Sequence, residues 1–209
     1  AESLITNDVH DNTITIGDAI LTSSGDIALA SRGQALIDAN ANTKTYGAAG
    51  AAQGTSVARS DADNTITVRG TLSAEDAMRL TAGRGLFNGT NDFLISANTD
   101  LWNKTAFPVE TDPYAHGELL EQNRVTVSGA AEVLSGGDLT LVARGAPATI
   151  VQGIGVGQDL YRQFAEDLAN AIGDLFGADD VSLKIETSSA REETDNQVIV
   201  DGTVRTGIH

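Results

Sequence analysis

Polar and apolar residues alternate along most of this chain, in short stretches separated by turns rich in Gly, Asp, Asn and Ser. Four stretches begin with Asn and place two β-branched residues on one face. The pairs are Ile14 and Ile16, Ile66 and Val68, Val125 and Val127, and Val198 and Val200. A further short stretch follows each of the first three and carries Leu29, Leu80 or Leu141. Alternation with period two predicts β-strands, so the chain is predicted to be all-β.

These stretches belong to repeat units that begin near residues 12, 64, 123 and 196. The first three read "NTITIGDAILTSSGDIALASRG", "NTITVRGTLSAEDAMRLTAGRG" and "NRVTVSGAAEVLSGGDLTLVARG", and the fourth reads "NQVIVDGTVRTGIH". Successive units start 52, 59 and 73 residues apart. Units of this length predict two coils each of a parallel β-helix (β-solenoid), with coils about 4.8 Å apart. A β-sandwich, the main rival, does not explain why equal repeat positions carry the same residue types.

A second set of alternating stretches lies between these units. It comprises "SLITN" at Ser3, "ALIDAN" at Ala35, "FLISAN" at Phe93 and "VSLKIE" at Val181. We interpret these as further strands of the same solenoid. The expected organisation is one β-solenoid segment over residues 1–209.

The last spacing is the longest, and the segment "QDLYRQFAEDLANAIGDLFGA" accounts for the excess. Its apolar residues recur every four positions, at Leu160, Phe164, Leu168, Ile172 and Phe176. This period predicts an amphipathic α-helix inserted around residues 158–177, with Asp159 favourable as its N-cap.

Three glycines, Gly153, Gly155 and Gly157, precede this segment as GxGxG. The spacing is one residue short of the dinucleotide fingerprint, and Glu186, about 30 residues further on, is too distant for its acidic partner. We therefore interpret the glycines as a tight exit from a strand and not as a nucleotide site.

Charge and composition narrow the choice of partners. The net charge is −16 and the isoelectric point about 4.3, which disfavours nucleic acid and anionic lipid as partners. No apolar run approaches the roughly 18 residues of a membrane span, so membrane insertion is not expected. The chain has no Cys, which rules out disulfides, thiol catalysis and Cys-based zinc sites.

Polar residues recur at the repeat positions. Asn12, Asn64, Asn123 and Asn196 predict a stacked structural ladder. In each of the first three units an acid precedes the second short stretch, and an Arg-Gly pair follows it. Both are expected to stabilise turns, since Asp bonds its own turn and Gly allows positive φ. The acids are Asp26, Asp76 and Asp138, and the pairs begin at Arg32, Arg84 and Arg144. A row of acids that binds Ca²⁺ is the alternative, although the glycine-rich nonapeptide of calcium-binding solenoids is missing.

One other group of residues has metal-binding chemistry. Glu110, Asp112, His116 and Glu118 lie within "VETDPYAHGELLE", where oxygen ligands are a candidate divalent-cation site. A polar surface loop is the simpler interpretation. No Ser-His-Asp arrangement and no GxSxG motif is present, so neither a catalytic residue nor a cofactor is predicted.

The repeat units, with "ANANTKTYGAAGAAQGTSVA" and "DLWNKTAFPVETDPYAHGEL", resemble the giant repetitive exoproteins of bacteria. The chain is most similar to the LEPR-XLL-type large repetitive proteins and more distantly similar to filamentous-haemagglutinin-like β-helix adhesins. The resemblance implies a secreted or cell-surface β-solenoid with a structural or adhesive role. It implies no catalytic residue at any position of this chain.

The ends of the sequence complement each other. The fourth unit followed by "AESLITNDVHDNTITI" reads as one complete repeat, which predicts a tandem array or head-to-tail stacking with a shared coil. The predicted assembly residues are those of the two ends and of the helix stripe. They are Leu4, Ile5, Val198, Val200 and Val204, together with Leu160, Phe164, Leu168, Ile172 and Phe176.

The predicted function is therefore that of a non-enzymatic structural or adhesive protein in a fibre on the bacterial exterior. Its expected partner is a further copy of itself, with host or biofilm glycans as additional candidates. The alternative is a carbohydrate-active β-helix enzyme, such as a polysaccharide lyase or depolymerase. Such enzymes line their groove with aromatic residues, whereas Tyr46, Trp102, Tyr114 and Tyr161 are scattered along this sequence.

Overall fold

The computed structural model describes residues 2–83, 92–145, 148–159 and 185–207, and every regular element in these ranges is a β-strand. Five strands form one sheet, called here the long-strand sheet: β1 (Glu2–Ile16), β4 (Gln34–Val68), β7 (Asp92–Val127), β10 (Ala148–Asp159) and β11 (Ile185–Val200). Four short strands form a second sheet: β2 (Ile20–Ser23), β5 (Thr71–Ala74), β8 (Glu132–Ser135) and β12 (Thr203–Thr206). The third sheet contains β3 (Ile27–Ser31), β6 (Met78–Ala82) and β9 (Leu139–Ala143).

Strands from successive repeat units lie side by side. The sheet orders are β1-β4-β7-β10-β11, with an added β7–β11 pairing, then β12-β8-β5-β2, and β3-β6-β9. All these neighbours are parallel except β10 and β11, which pair antiparallel over four residues of each strand. We group consecutive strands into four layers. Layer 1 is β1–β3, layer 2 is β4–β6, layer 3 is β7–β9 and layer 4 is β10–β12.

The strand register confirms the main alignment inferred from the sequence. Asn12 is opposite Asn64, Asn64 is opposite Asn123, and Asn123 is opposite Asn196. The leucines Leu29, Leu80 and Leu141 also form one row across the three-stranded sheet. Equal residues at equal repeat positions therefore identified neighbouring strands correctly.

The second set of stretches does not form one row. "ALIDAN" does pair with "FLISAN", because Ala35 is opposite Phe93. The next strand in this row, however, is β10, in which Thr149 is opposite Phe93. Ser3 is opposite Ser56, so "SLITN" lies beside a different part of β4, and Val181 falls outside the described residues.

Two apolar cores result from the alternation. The first lies where the three sheets meet and contains side chains that are almost fully buried, among them Ile66, Leu72, Met78, Leu80 and Val125. The second is thinner and lies between the two halves of the long strands. It is built largely from small residues, such as Ala39, Ala58, Ala62 and Ala97, around Phe93 and Leu119.

The long strands β4 and β7 must fold back on themselves to form the thin core. In β7 the Thr99 hydroxyl donates a hydrogen bond to the Tyr114 carbonyl oxygen at 2.6 Å, although 15 residues separate them. A straight strand of that length would hold the two residues roughly 50 Å apart. In the same way Asn103 Nδ2 donates to the carbonyl oxygen of Gly50, on the neighbouring strand, at 2.8 Å.

The predicted fold class, a parallel β-helix (β-solenoid) with one inserted helix, is wrong. Layers 1 to 3 each consist of one long strand and two short ones instead of two coils of short strands, and the strands belong to three separate sheets. The antiparallel pairing of β10 with β11 also breaks the continuous parallel winding of a solenoid. The physical reason is that the middle of each unit is a polar and small-residue strand that can fold onto itself.

No helix is present in the part of the chain that the structure describes, so none there could cross a membrane. The predicted helix around residues 158–177 does not begin where expected, because Gln158 and Asp159 are the last residues of strand β10. Residues 160–177 lie outside the described ranges. They include the whole predicted stripe of Leu160, Phe164, Leu168, Ile172 and Phe176.

Candidate functional site: two strand edges and a lysine–aromatic groove

An asparagine ladder crosses the long-strand sheet. Asn12 Nδ2 donates to Asn64 Oδ1 at 3.1 Å, Asn64 Nδ2 to Asn123 Oδ1 at 2.9 Å, and Asn123 Nδ2 to Asn196 Oδ1 at 2.9 Å. Asn64 and Asn123 are buried, whereas Asn196 at the end of the row is exposed. Because each amide bonds the same group on the next layer, the ladder fixes register and confirms the predicted structural role of these residues.

The stack has two open edges among the described strands. The first edge is formed by β1, β2 and β3, each of which has a parallel neighbour on one side only. The last edge is formed by β11 and β12, whose parallel neighbours β7 and β8 also lie on one side, and in the third sheet by β9, which pairs with β6. Strands of this kind present unpaired backbone N–H and C=O groups to the surroundings.

Apolar residues that are buried inside the stack are exposed at these edges. Val198 and Val200 are 45% and 46% exposed, whereas their neighbours Val125 and Val127 on β7 are fully buried. At the first edge Leu21 is 41% exposed, although Leu72 opposite it is fully buried. Each edge therefore has the side chains of an internal layer without the layer that would cover them.

The other predicted assembly residues of the two chain ends also lie on the edges, while those of the helix stripe are outside the described residues. Ile5 is 39% exposed opposite the buried Ala58, Leu4 is 63% exposed, and Val204 is partly buried against the first core. Leu4 and Ile5 both belong to β1 and pair with β4 within the chain, and the coil shared between copies stays a prediction.

The recurrent acids are not all equivalent. Ile27, Met78 and Leu139 are in one row, which places Asp26 and Asp138 beside Ala77 instead of Asp76. The buried row sets the register, and Asp76 is one residue out of place. Asp26 Oδ1 accepts a hydrogen bond from the Ala77 backbone N–H at 2.9 Å, so its side chain connects the turn to the neighbouring layer.

The described residues contain no cluster of side chains that would support the alternative of a calcium site. No group of three or more His, Asp or Glu side chains there lies close enough to hold a metal ion. Arg84 and Gly85 of the recurrent Arg-Gly pairs lie outside the described ranges, while Arg32 and Arg144 are exposed.

The segment predicted as a polar loop around His116 is part of strand β7. Glu118 is buried and accepts a hydrogen bond from Arg191 Nη1 at 2.9 Å, with Arg59 Nη1 at 3.6 Å. His116 Nδ1 lies 2.9 Å from the Ser189 hydroxyl oxygen. These polar groups join β4, β7 and β11 in one network, so their role in the described chain is to connect layers.

One carboxyl group has a perturbed environment. Asp63 on β4 is opposite Asp11 on β1, and burial raises the pKa of the Asp63 carboxyl. The negative charges of Asp11 and Asp61 raise this pKa further, while the Arg124 guanidinium lowers it. The pair therefore costs some stability when both acids are ionised.

The three glycines of the GxGxG stretch lie within β10 and not at a strand exit. All three are buried on one face of the strand. A Cβ atom added to Gly153 would lie closer than 3.0 Å to the backbone of Ser189 and Ala115. The glycines therefore let β10 approach the folded-back part of the sheet, and the stretch has none of the turn geometry of a nucleotide site.

A groove lies on the outer face of the long-strand sheet, where the side chains of β4, β7 and β10 meet. Its volume is about 590 Å³, and its lining includes Lys44, Asp100, Trp102, Lys104 and Val156. Lys44 is opposite Trp102, and Tyr46 is opposite Lys104, so cation and aromatic ring change places between the two strands. Lys104 Nζ lies 5.0 Å from the Trp102 ring centroid and 5.8 Å from that of Tyr46.

Sequence reasoning missed this groove. Tyr46 and Trp102 were expected to be scattered, but they lie on either side of the same lysine. Tyr114 stacks on His116 elsewhere, and Tyr161 is outside the described residues. The available signal was the "ALIDAN"–"FLISAN" alignment, which places Lys44 beside Trp102 when it is extended by four positions.

Comparison with protein-family models, with curated proteins and with solved structures finds no match to this chain. The resemblance to giant repetitive exoproteins therefore stays a prediction, and so does the location on the bacterial exterior that it implies.

Proposed function

We propose that this chain is a non-enzymatic structural module that assembles head to tail through its two strand edges into a fibre on the bacterial exterior. The observation that carries the proposal is the exposure of Val198 and Val200 at positions where layers 2 and 3 bury Ile66, Val68, Val125 and Val127. A further layer would bury the exposed pair and complete the backbone hydrogen bonds of β11.

The first edge of a second copy has the right residues to supply that layer. If β1 continues the internal register, its Asn12 lies opposite Asn196 and extends the asparagine ladder. Ile14 and Ile16 then lie opposite Val198 and Val200. By the same register β2 of that copy lies beside β12, with Leu21 opposite Val204. A contact between different edges repeats without closing, which produces a filament.

The test is negative-stain electron microscopy and light scattering of the wild-type chain and of two lysine variants. Val200→Lys places a charge at the last edge, where it remains solvated in the single molecule but would be buried in the contact. Leu94→Lys is the matched control, because Leu94 is similarly exposed but belongs to β7, which has neighbours on both sides.

The expected result is fibres for the wild type and for Leu94→Lys, and single particles for Val200→Lys. Traces of Val200→Lys added to wild-type protein should shorten the fibres, since the variant retains an intact first edge and blocks further growth. Single particles of wild-type protein at micromolar concentration would contradict the proposal. Fibres formed by Val200→Lys would show that assembly uses another surface.

The alternative of a carbohydrate-active enzyme stays a prediction. No arrangement of side chains among the described residues specifically supports it. The groove has aromatic residues, but Asp100 is the only acid among its described lining residues. Glycoside hydrolysis ordinarily needs two carboxyl groups on either side of the scissile bond. The edges, in contrast, present a repeated and specific pattern, and this is why assembly is the function proposed.

A further inference from the structure

The lysine–aromatic groove is independent of the two edges and has its own chemistry. Lys44 and Lys104 are two of the three lysines in a chain of net charge −16, and Trp102 is its single tryptophan. Together with Tyr46 they occupy neighbouring positions on two paired strands. This concentrates positive charge and aromatic surface in one place on an otherwise acidic molecule.

The polar side chains beside the rings are those that bind hydroxyl groups. Asn98 and Asp100 line the groove together with Thr99. On the same face Asn98 Nδ2 donates to Asp38 Oδ1 at 3.3 Å and to the Ser96 hydroxyl at 3.0 Å, which holds the amide in a fixed orientation. Amide and carboxylate groups around an aromatic ring suit a ligand that has both a C–H face and several hydroxyls.

The indole nitrogen of Trp102 adds a donor. Nε1 is buried and has no hydrogen-bond partner within the described chain. An unpaired buried N–H is unfavourable, and a hydrogen bond to a ligand oxygen would recover part of this cost. The flexible Lys44 side chain lies beside the indole in the neighbouring strand and can move to admit it.

From this arrangement we propose that the groove binds a short carboxylated saccharide. The sugar ring packs on Trp102, its carboxylate lies between Lys44 and Lys104, and its hydroxyls bond Asn98 and Asp100. A long polyanion is disfavoured by the net charge of the chain, whereas the few carboxylates of a short saccharide lie within or close to the roughly 8 Å over which the lysine charges are effective at physiological salt. An acidic peptide shares the carboxylate but lacks the stacking ring.

The position of Trp102 provides the assay. Because it is the only tryptophan, its intrinsic fluorescence reports directly on the groove. The probes are trigalacturonate, the neutral trisaccharide maltotriose and the tripeptide Glu-Glu-Glu, each added at constant ionic strength. We expect a saturable change in emission with trigalacturonate and none with the other two.

Two variants identify the site. Lys104→Met keeps the length of the side chain and removes its charge, and it should weaken trigalacturonate binding about tenfold, or roughly 1.4 kcal/mol. Arg69→Met is the control, since Arg69 is an exposed cation in the turn between β4 and β5, away from the groove. Its affinity should equal that of the wild type.

Four outcomes would overturn the proposal. Equal binding of maltotriose would show that the lysines do not recognise a carboxylate, and equal binding of the peptide would show that no sugar ring is recognised. An unsaturable change, or an equal loss in both variants, would reduce the effect to one of general charge. Fibre formation is scored separately, so failure of either proposal leaves the other in place.

Discussion

The asparagine ladder offers the sharpest test of how the layers hold together. Asn64 is fully buried, accepts from Asn12 at 3.1 Å and donates to Asn123 at 2.9 Å. Asn64→Ala removes both bonds, each of which contributes about 1 kcal/mol, and leaves the buried Asn123 Oδ1 without this donor at a further cost of about 1–3 kcal/mol. The lower end of this sum predicts a loss of about 3 kcal/mol in the free energy of unfolding.

The matched control is Asn196→Ala, at the exposed end of the same ladder. Asn196 only accepts a bond, and water can replace it, so the expected loss is below about 1 kcal/mol. Asn64→Asp separates hydrogen bonding from packing. It keeps the shape and the acceptor for Asn12, but it buries a charge and turns an acceptor towards Asn123.

Thermal unfolding followed by circular dichroism at sub-micromolar concentration is the assay. For a chain of this size 1 kcal/mol corresponds to about 2–4 °C, so Asn64→Ala should lower the Tm by about 6–12 °C. Asn64→Asp should be at least as damaging at pH 7. If Asn64→Ala and Asn196→Ala lose the same amount, or if Asn64→Asp unfolds at the wild-type temperature, the ladder does not hold the layers together.

Two further predictions concern the close approach of strands and the paired acids. Gly153→Ala should lower the Tm by several degrees, because its Cβ would clash with backbone atoms, which cannot move without their strands. The control is Gly17→Ala, which has no atom within 4 Å of its Cβ and should unfold within about 2 °C of the wild type. Equal Tm values for the two variants would contradict the reasoning. Asp63→Asn should raise the Tm at pH 7 by relieving repulsion from Asp11, worth a few tenths of a kcal/mol at this half-exposed site. The pKa of Asp63 is higher in the folded state than its ordinary value of 3.8, so the wild type gains stability as the pH falls from the folded-state pKa to that value. The advantage of Asp63→Asn should therefore shrink over this pH range, as measured by melting curves at a series of pH values. An advantage that grows on acidification would refute this assignment.

The sequence allowed the layer register to be predicted where equal residues recur at equal repeat positions. The asparagines of the ladder and the row of Leu29, Leu80 and Leu141 are such cases. Matching by residue type failed at Asp76, because the buried Met78 two positions later fixes the register and turn residues have no such constraint. Hydrophobic burial therefore decides the alignment where the two signals disagree.

The folding back of the long strands could not be read from local pattern. A strand that folds onto itself has the same alternation as a straight one, and only contacts between distant residues, such as Thr99 with Tyr114, distinguish them. The GxGxG stretch was different. Its glycines alternate with Gln152, Ile154 and Val156, and this period of two already indicated a strand with one face of minimal size.

The groove was hidden for a further reason. Like residues lie opposite like residues in the ladder, whereas Lys44 and Tyr46 lie opposite Trp102 and Lys104 in exchanged order. A search for the same residue type at equal repeat positions does not detect such a pair. The strand register nevertheless fixes its position as well as it fixes that of the asparagines. Residues that depart from the common pattern of stacked units are therefore the ones to inspect for binding, because the stacking itself does not require them.

The balance of forces at the edges also limits how assembly can work. Complete burial of a Val or Leu side chain contributes about 1.5–3 kcal/mol, so the half-exposed Ile5, Leu21, Val198 and Val200 together add roughly 4 kcal/mol per contact. That sum is no larger than the lower estimates for the entropy lost on association, about 4–15 kcal/mol. The backbone hydrogen bonds of a paired β1 and β11, and the added step of the asparagine ladder, must supply the surplus. Each copy also carries a net charge of −16, which opposes the contact and is screened beyond about 8 Å at physiological salt. Assembly through these edges should therefore depend on the correct register and on salt, and apolar contact alone would be too weak to drive it.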